Sequence, residues 1–312
     1  MRVAANVWPP SITNIMRKTL LTILALGAVA MMSCSKDNTP SQPIWPDDKD
    51  DETTETVDKP LDGGNIVVAH RGGSAEAGKG FPDNSIASLE YAMSLKCYAS
   101  ECDIYWTKDN KVVVAHADSE CKINGVHPWE ATLAELRAKG NIGNGEQLPE
   151  LQDFISKVMS NGSCTRLWLD IKNITSPSTL TGYPINACRR SCEIIKEMKA
   201  QNFVEFICTG NATVMAESYK YARAAGVNIG WMGNQAASVY QQKSYTWANL
   251  STEYMKQGGG VRTIDEFTKA GIAISVFNAD DDATMNYYIS NATSMKAICT
   301  NYPKKLIEKM RK

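Results

Sequence analysis

Only three histidines occur in the 312 residues: His70, His116 and His127. Imidazole titrates near neutrality, so these three bound any histidine-based acid/base chemistry. Two of them end apolar runs, Val67-Val68-Ala69-His70-Arg71 and Val112-Val113-Val114-Ala115-His116. A third run, Leu167-Trp168-Leu169-Asp170-Ile171-Lys172, ends in an acid and a base, and Glu101-Cys102-Asp103 opens a fourth. A single strand-end histidine is more often structural than catalytic. Two of three, one followed by an arginine, are harder to attribute to packing. Glu101 and Asp103 are two residues apart, so on a strand both carboxylates face one way and Cys102 the other. Side-by-side anions repel unless a cation joins them. With Asp170 as a third oxygen donor, the set favours a hard divalent ion, Mg²⁺ or Ca²⁺. Arg71 offers a planar fork suited to phosphate, and Lys172 a second positive charge. His127 lies in Asn124-Gly125-Val126-His127-Pro128, a loop setting that reads as surface or rim.

These side chains need a scaffold that gathers strand ends. Short β-rich runs recur at Ile66–His70, Glu101–Trp106, Val112–His116, Arg166–Lys172, Val204–Cys208, Val227–Trp231, Ile272–Phe277 and Ala297–Thr300. Helix-period stretches separate most of them. Ile86, Leu89 and Met93 are spaced i, i+3, i+7 behind the capping segment Pro82-Asp83-Asn84-Ser85, and Asn186–Gln201, Asn211–Gly226 and Thr263–Gly271 read the same way. Repeated strand–helix units predict an α/β fold with a mostly parallel sheet, and about eight units in residues 65–312 match a (β/α)8 TIM-like barrel. Such a barrel collects strand C-termini at one mouth. The exception is Thr107-Lys108-Asp109-Asn110, too short for a crossover helix and suited to a turn between antiparallel strands.

The chain before residue 65 reads differently. Arg17 and Lys18 precede the apolar run Leu20–Met32, too short for a transmembrane helix and shaped like an export signal. Met16 is the more natural start. Ser33-Cys34 resembles a bacterial lipobox, so residues 1–34 are expected to be a signal peptide with Cys34 the lipidated residue. Residues 35–64 are acidic and Pro/Thr-rich with little to bury, as in a disordered tether. An extracytoplasmic protein on a bacterial membrane is the expectation, periplasmic or on the outer membrane or cell surface, with the membrane touched only through that lipid. The formal charge of 33 − 34 = −1 gives no field for nucleic acid. Eight cysteines follow Cys34; in an exported protein an even count permits disulfides, and none of the spacings is a zinc pattern.

Taken in order, His70-Arg71-Gly72, Pro82-Asp83-Asn84-Ser85, Glu101-Cys102-Asp103-Ile104, Thr107-Lys108-Asp109 and Val112–His116 resemble the signature of the glycerophosphodiester phosphodiesterase family. Leu148-Pro149-Glu150-Leu151, Leu169-Asp170-Ile171-Lys172, Val276-Phe277-Asn278 and Thr300-Asn301-Tyr302-Pro303 fall where that family has its later motifs. The resemblance implies a TIM barrel that hydrolyses a small phosphodiester to an alcohol and glycerol 3-phosphate. It implies one divalent cation on Glu101, Asp103 and Asp170, and His70 and His116 as the acid/base pair. It places Arg71, Lys172 and Phe277 at the substrate, with Asp83 supporting Arg71. The family has Glu where this chain has Asp83 and Asp170, Trp at Phe277 and Asp at Asn301; its His-Asp becomes His116-Ala117-Asp118. Two rival readings remain beside it. One is a phospholipase-like action on a phosphoinositide or sphingolipid, and the other is a lipid-anchored binding protein without turnover.

Overall fold

The computed structural model describes residues 59–160, 162–174 and 178–312. The expected signal segment, Cys34 and residues 35–58 of the expected tether lie outside these. Nine strands form one sheet: β1 (Val67–Ala69), β2 (Ala99–Trp106), β3 (Val112–Val114), β4 (Arg166–Ile171), β5 (Val204–Cys208), β6 (Ile229–Trp231), β7 (Trp247–Ser251), β8 (Ala273–Phe277) and β9 (Ala297–Thr300). Their order is β1-β9-β8-β7-β6-β5-β4-β2-β3, and β1 also pairs with β2. Eight parallel strands therefore close on themselves, while β3 adds to the rim antiparallel to β2. This is the expected (β/α)8 barrel with one exchange of members. The run Val112–His116 contains the short β3 (Val112–Val114), which lies outside the ring and is reached through the predicted tight turn. The eighth barrel strand is β7, whose inward Asn249 interrupts the apolar pattern that marks the others.

Helices cover the outside: α1 (Ser74–Ala77), α2 (Ile86–Ser94), α3 (Leu133–Ala138), α4 (Leu151–Val158), α5 (Gly182–Glu197), α6 (Ala212–Ala225), α7 (Ala237–Gln242), α8 (Ile264–Lys269), α9 (Asp282–Ser290) and α10 (Pro303–Met310). Their starts follow local chemistry. Ser85 accepts from the Ser88 amide to cap α2, Asn211 caps α6 and Asp281 caps α9. The α5 helix begins a turn earlier than its pattern suggested, because Pro184 sits in the first turn, where no amide is needed. None of the described helices is long and apolar enough to cross a membrane. The eight described cysteines are all free thiols, six of them buried.

Strand alternation builds the barrel interior in layers. An apolar cluster of Val68, Ala99, Trp168, Ile207, Trp247, Ala297 and Cys299 packs within the barrel, with Trp168 and Trp247 ring centroids 4.9 Å apart. At the N-terminal ends of the strands, Lys296 Nζ donates to Glu205 Oε1 (2.8 Å), and Trp168 Nε1 and Tyr98 Oη donate to Glu205 Oε2 (2.9 and 3.2 Å). Asn228 adds a fourth bond at 3.2 Å. Burial opposes ionisation of Glu205, but Lys296 and these donors outweigh it and hold the carboxyl below its usual range. That stabilisation is present above the ordinary value of 4.5 and is lost as pH falls through the lower folded value. Glu205→Gln strands the buried Lys296 charge. It should lower stability by about 3–5 kcal/mol near neutral pH. Urea unfolding should show that difference shrinking as pH falls from about 4.5 toward the lower value at which folded Glu205 takes up its own proton. A gap that stays constant down to pH 3 would contradict this role for the pair.

Candidate active site

The opposite end of the same barrel carries the charged layer. Glu101 and Asp103 project inward from β2, as their two-residue spacing requires, and Asp103 is in register with Asp170 of β4. All three are buried, at 2, 0 and 6% exposure. One carboxylate oxygen from each lies within 4.8 Å of the others. Around them the sequence has placed every available counter-charge. Lys172 Nζ contacts Asp103 Oδ1 and Asp170 Oδ2, and Arg71 Nε lies 3.4 Å from Asp103 Oδ2. Arg71 Nη1 reaches Asp83 Oδ2 at 2.9 Å, and the Ser74 hydroxyl bonds the other oxygen of Asp83.

The loop after β1 explains how Arg71 arrives there. Arg71, Gly72 and Gly73 all take positive φ (49°, 82° and 78°). A Cβ on Gly72 would lie 2.4 Å from Ser88 Oγ, so this left-handed turn needs glycine on both counts. The turn points the Arg71 backbone N–H at Glu101 Oε2 (2.9 Å) while its guanidinium spans Asp103 and Asp83. Asn84, also at positive φ and only 1% exposed, clasps Asp103 twice. Its Nδ2 donates to Asp103 Oδ2 (2.9 Å) and its Oδ1 accepts from the Asp103 amide (3.0 Å).

The three acids consequently differ. Burial and the neighbouring Asp103 push Glu101 well above the usual carboxyl range. Burial also lifts Asp170, which Lys172 only partly offsets. Burial works against Asp103 too, but Lys172, Arg71 and Asn84 prevail and hold it low. Lys172 is raised well above its ordinary value, since three carboxylates outweigh its own burial. Glu101 Oε1 and Asp170 Oδ1 are buried and take no hydrogen bond from the described residues. Two unfilled oxygens beside a third acid, with a mutual repulsion that only a cation relieves, fit a hard divalent ion.

His70 stands over this cluster with Nε2 3.8 Å from Glu101 Oε2. Its tautomer follows from a chain of partners. Asp280 accepts from Asn301 N (2.8 Å), Asn301 Nδ2 (2.7 Å) and Thr300 Oγ1 (3.0 Å). With its amide nitrogen committed to Asp280, Asn301 turns Oδ1 to His70 Nδ1 at 2.7 Å. Nδ1 therefore carries the proton, and Nε2 keeps its lone pair toward the acids. Burial lowers the His70 pKa, and the Asn301 bond only partly restores it. His116 is exposed just beyond β3; its pKa is lowered by partial burial, with Asp103 and Arg71 acting on it in opposite senses.

Two cavities flank the Arg71–Asp83 pair. One, of about 250 Å³, is lined by His70, Arg71, Glu101, Asp170, Lys172 and Phe277, with Asn249 and Asn278 in its wall. The other, of about 370 Å³, is lined by Asp83 and His116, with Asp118, Lys122 and Asn124 at its rim. Every barrel residue singled out from sequence lines one of these cavities, except Asp103, which lies beneath in the acid cluster, and His127. That ring stacks on Trp129 at 4.7 Å and borders neither cavity. Sequence reading passed over Asn84, Asn249 and Asp280, and took Asn301 only as a departure from pattern. For Asn84 the signal was its place before a helix cap, where an asparagine tolerates positive φ.

Solved structures share this architecture. A glycerophosphodiester phosphodiesterase from Parabacteroides distasonis matches with TM-score 0.64 at 24% identity, over 79% of this chain and 97% of its own. An Oleispira antarctica phosphodiesterase, solved in complex with the product sn-glycerol-3-phosphate, matches with TM-score 0.59 at 20% identity, over 79% and 96%. In sequence, a glycerophosphodiester phosphodiesterase from Caldanaerobacter subterraneus subsp. tengcongensis is 28% identical over 148 residues, 45% of this chain. The chain spans 55% of that relative's length and 39% of a Bacillus subtilis relative's. The profile of the glycerophosphoryl diester phosphodiesterase family matches residues 70–305, which include every barrel residue of the site, and this chain belongs to that family.

Proposed function

We propose that this protein is a metal-dependent phosphodiesterase that cleaves a glycerophosphodiester to an alcohol and glycerol 3-phosphate. The observation that carries the reading is the buried Glu101–Asp103–Asp170 cluster set beside Arg71, Lys172 and an imidazole with a free Nε2. Relatives bearing this activity in their names support the substrate class. Glu101, Asp103 and Asp170 are the residues to hold a Mg²⁺ or Ca²⁺ ion. When bound, it supplies positive charge against the oxygens of the phosphate.

The chain's own groups do the rest. The Arg71 guanidinium, held by Asp83 and Asp103, and the Lys172 ammonium pair with the non-bridging phosphate oxygens, where charge grows in the transition state. Phe277 gives an apolar wall to one alcohol arm. His70 Nε2 takes a proton from the attacking water as its oxygen bonds to phosphorus. His116 donates a proton to the leaving alcohol oxygen as the other P–O bond breaks. The lowered pKa of His70 keeps it neutral, as a base requires. His116 needs its proton, and the negative phosphate beside it favours the charged ring. Asn301 and Asp280 are positioning residues that fix the His70 tautomer. The two cavities give each alcohol arm its own side of the phosphate.

The tethered form remains part of this reading: export followed by lipidation of Cys34 would hold the barrel at a bacterial membrane, outside the cytoplasm. In cells, Cys34→Ala should move the protein from the membrane fraction to the soluble extracytoplasmic fraction, and unchanged membrane retention would refute the anchor.

Chelator should abolish turnover of glycerophosphocholine, and Mg²⁺ or Ca²⁺ should restore it. Asp103→Asn should shift the metal titration to higher concentration; an unaltered titration would remove Asp103 from the ion's ligands. Replacing His70 or His116 by Ala should each lower kcat by about 10²-fold or more. Near-normal turnover in His116→Ala would sink its role as the acid, and a cyclic phosphate product would favour the phospholipase-like reading.

A further inference from the structure

The wall of the His70 cavity holds polar atoms that the reaction described above does not use. Asn249, on β7, points into the barrel and has 0% exposure. Its amide cannot turn freely. Trp247 Nε1, a donor only, gives its proton to Ser275 Oγ at 2.8 Å. Ser275 Oγ then donates to Asn249 Oδ1, also at 2.8 Å. That relay uses the carbonyl oxygen and leaves Nδ2 as the unengaged end of an amide that lies in the cavity wall. Among the described residues Nδ2 has no partner. A buried amide with two donors and no acceptor is costly unless something supplied from outside accepts from it. Asn278 borders the same cavity and carries a buried Oδ1 that is also without a partner among the described residues. Its own backbone oxygen is engaged by Thr252 Oγ1 at 3.2 Å.

A fixed donor and an acceptor on one small cavity describe the complement of a hydroxyl group, which accepts through its oxygen and donates its hydrogen. Around them the wall is apolar, formed by Trp168, Ile207, Met232 and Phe277. An alkyl arm would satisfy that wall and leave both amide atoms unpaired; a charged arm would be desolvated there, with Arg71, Lys172 and the acids already paired with one another. We propose that Asn249 and Asn278 read a free hydroxyl on the polyol arm of the substrate, with Asn249 the specificity-determining donor and the Trp247–Ser275 relay the device that holds it in that role. This rests on the phosphodiesterase reading of the site for where the phosphate sits. It goes further in assigning the arm in the His70 cavity to a short neutral polyol. The cavity of about 250 Å³ has room for a three-carbon polyol beside the phosphate.

The test is equilibrium binding of sn-glycerol 3-phosphate and of n-propyl phosphate, measured by calorimetry on the full chain with Mg²⁺ present. The two ligands share charge and length and differ in the hydroxyls alone. Wild type should prefer glycerol 3-phosphate by about tenfold or more, because losing the hydroxyl leaves buried groups unpaired. In Asn249→Leu the two affinities should fall to within about twofold of each other. Ser275→Ala leaves the cavity lining intact but releases the relay, and it should shrink the preference as well, which covers the case of a poorly folded Asn249→Leu. Equal affinities in wild type, or an undiminished preference in both variants, would overturn the proposal. Binding separates this from the catalytic reading. A preference that depends on Asn249 in a protein that hydrolyses no diester would retain the hydroxyl site and discard the chemistry.

Discussion

Three carboxylates held within 4.8 Å of one another in a barrel interior repel, and the rest of the site is arranged around that repulsion. Glu101 and Asp103 cannot avoid each other, because strand pleating sends both inward from β2. Register then sets Asp170 of β4 directly beside Asp103. The chain answers with charge and dipoles drawn from different elements: Lys172 from just past β4, Arg71 from the left-handed turn after β1, and the Asn84 amide from the cap before α2. The compensation is uneven. Asp103 receives almost all of it and is held ionised, while Glu101 and Asp170 are left with raised pKa values and unfilled oxygens. An arrangement that stops short of neutralising its own acids stores a preference for a cation, and it does so where a phosphate would also meet Arg71 and Lys172.

The opposite end of the barrel handles a buried charge in the reverse way. Glu205 is saturated, with Lys296, Trp168, Tyr98 and Asn228 around its two oxygens. Nothing there is left for a ligand, and the layer of Trp168 and Trp247 separates the two ends. The same residue type thus serves as a structural plug at the N-terminal end and as a receptive cluster at the C-terminal end. The difference lies in how many donors each carboxylate has been given. Trp168 contributes to both, since its ring borders the His70 cavity while its indole N–H caps Glu205.

How much of this was legible in the sequence depends on the kind of signal. Apolar runs ending in His70, Asp170 or Lys172 announce barrel strands and the mouth they share, because a functional side chain at a strand end breaks the pattern visibly. The i, i+2 pair of Glu101 and Asp103 likewise states its own geometry. Val112–His116 misleads as to its place in the ring, since the apolar pattern of a short rim strand equals that of a barrel strand; the tight turn before it gives its antiparallel partner correctly. Trp247–Ser251 was silent for the opposite reason. Its Asn249 faces inward, where the period-2 rule expects an apolar residue, so the feature that hid the strand is the one that gives the cavity its donor. Asn84, Asn301 and Asp280 act through amide and carboxylate contacts with residues 19, 231 and 21 positions away. No local pattern encodes such pairings.

Asn301 shows why a departure from a family pattern has to be weighed with its surroundings. Where the family has an acid at this position, a carboxylate would stand against His70 Nδ1 directly. Here a neutral amide does so, and the acid, Asp280, stands one hydrogen bond further back, held by Thr300 and by both nitrogens of Asn301. Orientation survives the exchange, because Asn301 can offer only its oxygen once its nitrogen is committed. The charge next to the ring does not survive it. A carboxylate in contact would favour the imidazolium; an amide favours it less, and burial together with Arg71 then pulls the ring below its ordinary value. The amide therefore keeps the ring's orientation and shifts its protonation toward the neutral form, the form with a lone pair for the base role proposed for His70.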